Sequence, residues 1–148
     1  MKNILIPIFI FSSYFICDAQ ISSLKIEAFG RGFREKIELK NQNIDYKHWK
    51  GFRNKDEKLV IDTLIILTKI QYDSLQIVGK DIDFSTLSTL ISPKNERATD
   101  GKYYAKLFIN GSESQYYDHE IGFVGYEKLI KQITKTYYGV KKAFYTKK

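Results

Sequence analysis

Residues 59–71 read LVIDTLIILTKIQ, and the change of pattern inside this stretch decides the fold class. Its first part is apolar and rich in β-branched side chains, with the length and composition of a buried central strand. Thr68-Lys69-Ile70-Gln71 then fits a capping box, in which a threonine hydroxyl and a glutamine side chain satisfy backbone donors at a helix start. Ile70, Leu75 and Val78 supply an apolar helix face, and Gly79 is placed to stop the helix with a left-handed residue. A strand that runs directly into a helix sets the chain apart from an all-β protein.

Upstream, Leu24, Ile26 and Ala28 alternate with polar residues, and Gly30-Arg31-Gly32 reads as a turn. Ile37 and Leu39 share one side of the next segment, and Ile44, Tyr46 and His48 alternate again up to Gly51. Three strands in an antiparallel meander follow from this pattern. On the same alternation, His48 and Trp49 point to opposite faces.

Downstream, residues 83–87 read as a loop or a brief helical turn, and Leu90 and Ile91 as the start of a strand ending near Pro93. Asp100-Gly101 and Asn110-Gly111 are turn dipeptides of the kind that tight hairpins need. Between them Tyr103, Ala105, Leu107 and Ile109 alternate with Tyr104, Lys106 and Phe108, and the second turn should pair this strand with residues 114–118. Leu129, Ile130, Ile133 and Tyr137 recur at helical spacing, predicting an amphipathic helix over 126–138 with Lys128, Lys131 and Lys135 toward water. The sum is an α+β fold: an antiparallel sheet of about six to seven short strands with two short helices packed on one face.

The chain opens with Lys2 and an apolar run from Ile4 to Ile16, the layout of a secretory signal peptide. That run is shorter than the roughly 20 residues a membrane-spanning helix requires, and Pro7 interrupts it. Cleavage after Ala19 places Ala19 and Cys17 in the small-x-small positions that the peptidase accepts. Lipid attachment at Cys17 is the weaker alternative, because Ile16 and Phe15 stand where a small residue should precede the cysteine. The expected organisation is therefore a signal peptide over 1–19 and a single α+β domain over 20–148 with a basic C-terminal end. That mature chain carries no cysteine, so it holds no disulfide and no thiolate nucleophile, and no transmembrane helix is expected in it.

Lys and Arg exceed Asp and Glu by seven, and the excess lies at one end, where seven lysines from Lys128 to Lys148 meet Glu127 alone. Such a charge favours anionic partners at low salt, or simply a solvated helix face. Catalysis finds little support. His48 and His119 lack metal-ligand spacing, no G-x-S-x-G elbow is present, and Gly30-Arg31-Gly32 is only a fragment of a phosphate loop. Asp118 beside His119 makes no dyad on a strand, since consecutive side chains point apart. No metal, cofactor or catalytic set is expected.

The aromatics are the more informative asset. Tyr103, Tyr104, Tyr116 and Tyr117 lie on two strands of one hairpin, and each pair should send one ring inward and one outward. Arg31, Arg34 and Arg53, each near a Gly-Phe pair, form a second candidate cluster, and Lys141 and Lys142 mark the basic end. These observations describe a small exported bacterial protein, periplasmic or secreted, that acts as a non-catalytic binding or interaction module. Its expected partner is a protein or an anionic envelope component, and nucleic acid is not expected. Two alternatives stay open: a basic protein that attaches to anionic polymers or lipids, and a hydrolase using carboxylates or His119.

Overall fold

The computed structural model describes residues 20–51, 56–91, 103–118 and 122–146. The segment read as a signal peptide, the Asp100-Gly101 turn, Pro93, Arg53 and His119 lie outside the described residues. The strands are β1 (Ser23–Gly30), β2 (Phe33–Lys40), β3 (Asn43–Lys50), β4 (Lys58–Ile66), β5 (Tyr104–Ile109), β6 (Ser112–Glu113) and β7 (Tyr117–Asp118). The helices are α1 (Lys69–Lys80), a 3-10 turn (Phe84–Thr89) and α2 (Glu127–Thr146). All pairings are antiparallel in the order β4-β3-β2-β1-β5-β6, with β7 also on β5. The architecture is the α+β sheet that the alternation predicts.

One face of the sheet forms the core. Leu24, Ile26, Ala28, Ile37, Leu39, Ile44, Tyr46, Ala105, Leu107 and Ile109 are buried there against Leu75 of α1 and Leu129, Ile133 and Tyr137 of α2. Tyr46 and Tyr137 stack with ring centroids 4.8 Å apart, fixing the middle of α2 on β3. The Asn110-Gly111 turn has φ of 49° and 86°, the positive pair that a tight β5–β6 hairpin requires. Asn110 also ties down the first described residues: its Nδ2 donates to the Gln20 carbonyl at 2.8 Å, and its Oδ1 accepts from the amides of Ser22 and Ser23. Gln76 adds a reciprocal pair with the Ile21 backbone, at 2.8 and 2.9 Å.

The capping box forms as expected. The Gln71 amide donates to Thr68 Oγ1 at 3.3 Å, and the Thr68 amide donates to Gln71 Oε1 at 2.9 Å. Thr68→Ala should therefore destabilise the protein by about 1 kcal/mol, read as a lower urea midpoint with unchanged slope.

Four local expectations are corrected. Among the described residues the 59–67 run is an edge strand rather than a central one, with Leu64 exposed and Ile66 73% exposed. It is apolar on both faces, yet only the Ile61 side meets the core. Gly79 does not end α1, which continues to Lys80 with Asp81 as C-cap. Its role is close approach, since a Cβ there would lie 2.8 Å from Ile21 Cδ1. Leu90 and Ile91 follow the 3-10 turn without entering a strand. Finally, α2 runs to Thr146, well past the expected end near Tyr138, because Val140 and Phe144 pack on the core beyond Gly139. Among the described residues no helix is long and apolar enough to cross a membrane.

Candidate binding face and a buried polar anchor

Both α-helices contribute to the core on one side of the sheet, and among the described residues the opposite face is open. Cross-strand register builds a row along it. Leu59 faces Trp49, Trp49 faces Arg34, Arg34 faces Phe29, and Phe29 faces Tyr104. Directly paired residues project to the same side, and Phe29 alternates with buried Ala28, so the whole row points away from the core. Five strands at about 4.8 Å spacing make it about 19 Å wide. A bulge between β3 and β4 keeps the phase: His48 pairs with Ile61 on the inner face and Trp49 with Leu59 on the outer, leaving Val60 as the extra residue.

The rings touch one another. Phe29 lies 5.7 Å from Tyr104 and 5.3 Å from Tyr116, the latter edge-on. Tyr104 and Tyr116 remain 37% and 54% exposed. The Arg34 guanidinium lies 4.3 Å over the Trp49 ring and pairs with Glu57 at 3.2 Å. Around the row the charges neutralise each other: Lys25 with Glu27, Lys36 and Lys40 with Glu38, Lys47 with Asp45 and Asp62, and Lys106 with Glu113. Hydrogen bonds from Lys36 and Lys40 hold the Glu38 carboxyl down at about 2. The open face is thus electrically balanced, with a ridge of rings standing out of it.

The tyrosine candidates separate. Tyr104 and Tyr116 join the ridge, whereas Tyr117 is buried and stacked on Phe123 at 5.1 Å. Tyr103 packs beside Phe33 at 5.3 Å and covers Gly30. Tyr116 and Tyr117 diverge because residues 114–116 leave the ladder between β6 and β7. There Ser114 Oγ turns inward to accept from the Leu107 amide at 3.0 Å. Of the arginines, Arg34 stands in the row, Arg31 occupies the β1–β2 turn, and Arg53 is outside the described residues. Lys142 is exposed, while Lys141 reaches inward. Phe29 and Trp49 were absent from the sequence candidates; the alternation that places His48 inside is the signal that sends Trp49 out.

Lys141 ends in a buried polar cluster on the inner face. Glu35 and His48 are directly paired across β2 and β3. Glu35 Oε1 accepts from Tyr46 Oη at 3.1 Å, from His48 Nδ1 at 2.9 Å, and from Lys141 Nζ. His48 Nε2 meets Tyr145 Oη at 2.8 Å. With Nδ1 donating to the carboxylate, Nε2 is left to the Tyr145 hydroxyl, an arrangement of ring protons assigned from the network. Burial alone would raise the Glu35 pKa, but the hydrogen bonds and charge of His48 and Lys141 outweigh it and bring the carboxyl to about 2. Burial, reinforced by the Glu35 charge, pushes the Tyr46 phenol well above its usual range. Tyr145 is also raised, by burial first, with Lys141 opposing.

A carboxylate-oriented imidazole is half of a catalytic triad. Here the other nitrogen is taken by Tyr145, the histidine is 2% exposed, and Phe33 stacks over its ring at 6.1 Å. A substrate could reach Nε2 only by displacing Tyr145. The cluster therefore serves as an anchor, joining the last turns of α2 to the sheet by side chains roughly a hundred residues apart in sequence. Among the described residues no group of three His, Cys, Asp or Glu is arranged to hold a metal ion. No protein-family model, no curated protein and no solved structure matches this chain, so what it does is argued from its own geometry.

Proposed function

We propose that the chain is a small exported binding module without a catalytic role, working through the open face of its sheet. The observation that carries this reading is the register that sets Trp49, Arg34, Phe29 and Tyr104 in one outward-facing row with Tyr116 against it. Trp, Tyr and Arg are the side chains that dominate binding energy at protein interfaces, because they offer large area for little lost rotamer freedom. The balanced ion pairs around the row make it a poor collector of polyanions and a suitable seat for a protein partner. Export is supported by Lys2, the apolar run behind it and the small residues before Gln20. His48 offers no free imidazole nitrogen to a substrate, because Tyr145 occupies its Nε2.

The test is capture of envelope proteins by the wild type and by a Tyr104→Ala/Tyr116→Ala variant. Both rings point outward, so the variant keeps the fold, and affinity for the partner should fall by about 30-fold or more. Binding by rings should also persist at raised salt. A partner retained equally by both proteins, or released by salt alone, overturns this reading.

A further inference from the structure

We propose that the solvent face of α2 is a second attachment surface, which docks electrostatically on an anionic lipid bilayer. Lys128, Lys131, Lys135, Tyr138 and Lys142 follow one another at alternating steps of three and four residues, so they lie along one side of the helix. At 1.5 Å per residue the stripe is about 21 Å long. Leu129, Ile133 and Tyr137 occupy the opposite side and are buried, which commits the apolar face of α2 to the core. Contact with a bilayer is consequently by charge at the head groups and not by insertion.

What separates this stripe from the lysines of the sheet face is that, among the described residues, its charges meet no carboxylate. On the open sheet face Lys25, Lys36, Lys40, Lys47 and Lys106 each pair with a carboxylate. Among the described residues none of the four stripe lysines has an acidic partner, and Glu127 is the one acid in the helix. Lys141, one residue from Lys142, is the exception that turns inward to Glu35.

Shape selects the occupant. Single strands of anionic polymer are held in grooves that track the backbone. The solvent side of a helix packed on a sheet is convex, so it offers no groove but can meet a plane along its length. Lysine, a compact charge on a flexible stem, suits diffuse attraction to head groups better than fork-like recognition of one phosphate. Tyr138, 58% exposed in mid-stripe, places an amphipathic ring at the depth where tyrosines are enriched in membranes. Because α2 lies on the covered side of the sheet, the stripe faces away from the aromatic row. A molecule held by α2 presents that row outward.

The experiment is flotation of the full chain with vesicles of phosphatidylcholine alone or of equal parts phosphatidylcholine and phosphatidylglycerol. Any contribution of the apolar run from Ile4 to Ile16 is common to both vesicles and all variants. The wild type should prefer the anionic vesicles, and salt near 1 M, where screening reaches about 3 Å, should abolish the preference. K128Q/K131Q/K135Q/K142Q should lower anionic binding by about fivefold per lysine. A K25Q/K36Q/K47Q/K106Q control, with the same change in net charge on the sheet face, should keep the preference. Equal binding to both vesicles, or an equal loss in the control, overturns the proposal. So does binding of single-stranded DNA that depends on the stripe while vesicles are ignored. The Tyr104→Ala/Tyr116→Ala protein should float like the wild type, so failure here is distinguishable from failure of the sheet-face reading.

Discussion

Glu35→Ala is expected to destabilise the protein by about 3–5 kcal/mol, the range for breaking a buried, hydrogen-bonded ion pair by removing one partner. One oxygen of Glu35 accepts from Tyr46, His48 and Lys141, and alanine leaves the two buried donors, Tyr46 and His48, without it. The damage should be read first at the far end of α2. Amide exchange over 139–146 should accelerate before that of β1 or β5, since Lys141 and Tyr145 are what hold those turns to the sheet. Glu35→Gln keeps a carbonyl acceptor and should lose less.

The same group predicts an acid response. Its pKa is about 2 in the fold against 4.5 for the free side chain. A carboxylate with a lowered folded pKa contributes its full stabilisation above the unfolded value and loses it as pH falls through the folded one. The contribution is on the order of 3 kcal/mol and should disappear between about pH 4.5 and pH 2. Over that window the wild type should lose stability faster than Glu35→Ala. Parallel acid curves for the two proteins would remove Glu35 from this role. Glu38, lowered to about the same value, titrates in the same window but is common to both proteins.

Gly51→Ala should be the second most damaging single change, at about 2–4 kcal/mol. Gly51 has φ of +132°, and a Cβ there would sit 2.2 Å from the backbone oxygen of Asp56. Its amide also donates to the Gly32 carbonyl at 3.1 Å, joining the end of β3 to the β1–β2 turn. Relief would require moving the backbone that leads to Glu57, the partner of Arg34 in the aromatic row. Gly111→Ala is the control, because its φ of +86° is strained for alanine but its Cβ would meet nothing within 4 Å. A thermal midpoint roughly 10 °C lower for Gly51→Ala, against a smaller shift for Gly111→Ala, is the expected result. Equal shifts would mean that the contact with Asp56 is not limiting.

Much of the fold is legible because period-two alternation is a direct image of a one-sided sheet. Leu24, Ile26 and Ala28, then Ile37 and Leu39, then Ala105, Leu107 and Ile109 are buried where the pattern puts them. The capping box at Thr68 and the turn at Asn110 are equally local. Edge status is not local, and so the 59–67 run misleads: apolar density reports what a strand can bury, not how many neighbours it has. The extension of α2 past Gly139 rests on Val140 and Phe144 meeting the core and on Lys141 and Tyr145 meeting Glu35 and His48, partners that no window around the helix contains.

The candidate face was half legible. That Tyr104 points outward follows from parity, but Tyr116 does so only because the register on β5 shifts by one residue between β6 and β7, and the meeting of both rings with Phe29 needs the β1–β5 register, which joins strands far apart in sequence. Glu35 and His48 are a different case. A turn at Asn41 and Gln42 sets the β2–β3 register, and that register places the two opposite each other in an otherwise apolar inward phase. Lys141 and Tyr145, arriving from the other end of the chain, complete the cluster in a way no hairpin rule foretells.

The position of β4 bears on how molecules of this protein tolerate one another's company. Among the described residues no strand lies beside its outer edge, and Leu64 and Ile66 stand beside that unsatisfied row of amides and carbonyls. Such a border invites another chain to continue the sheet, the first step toward cross-β stacking. Within the stretch from Leu59 to Ile66 the single charge is Asp62, loosely met by Lys47 at 3.8 Å and free to repel an incoming copy of itself. Asp62 therefore acts as a gatekeeper, guarding colloidal stability more than the native fold.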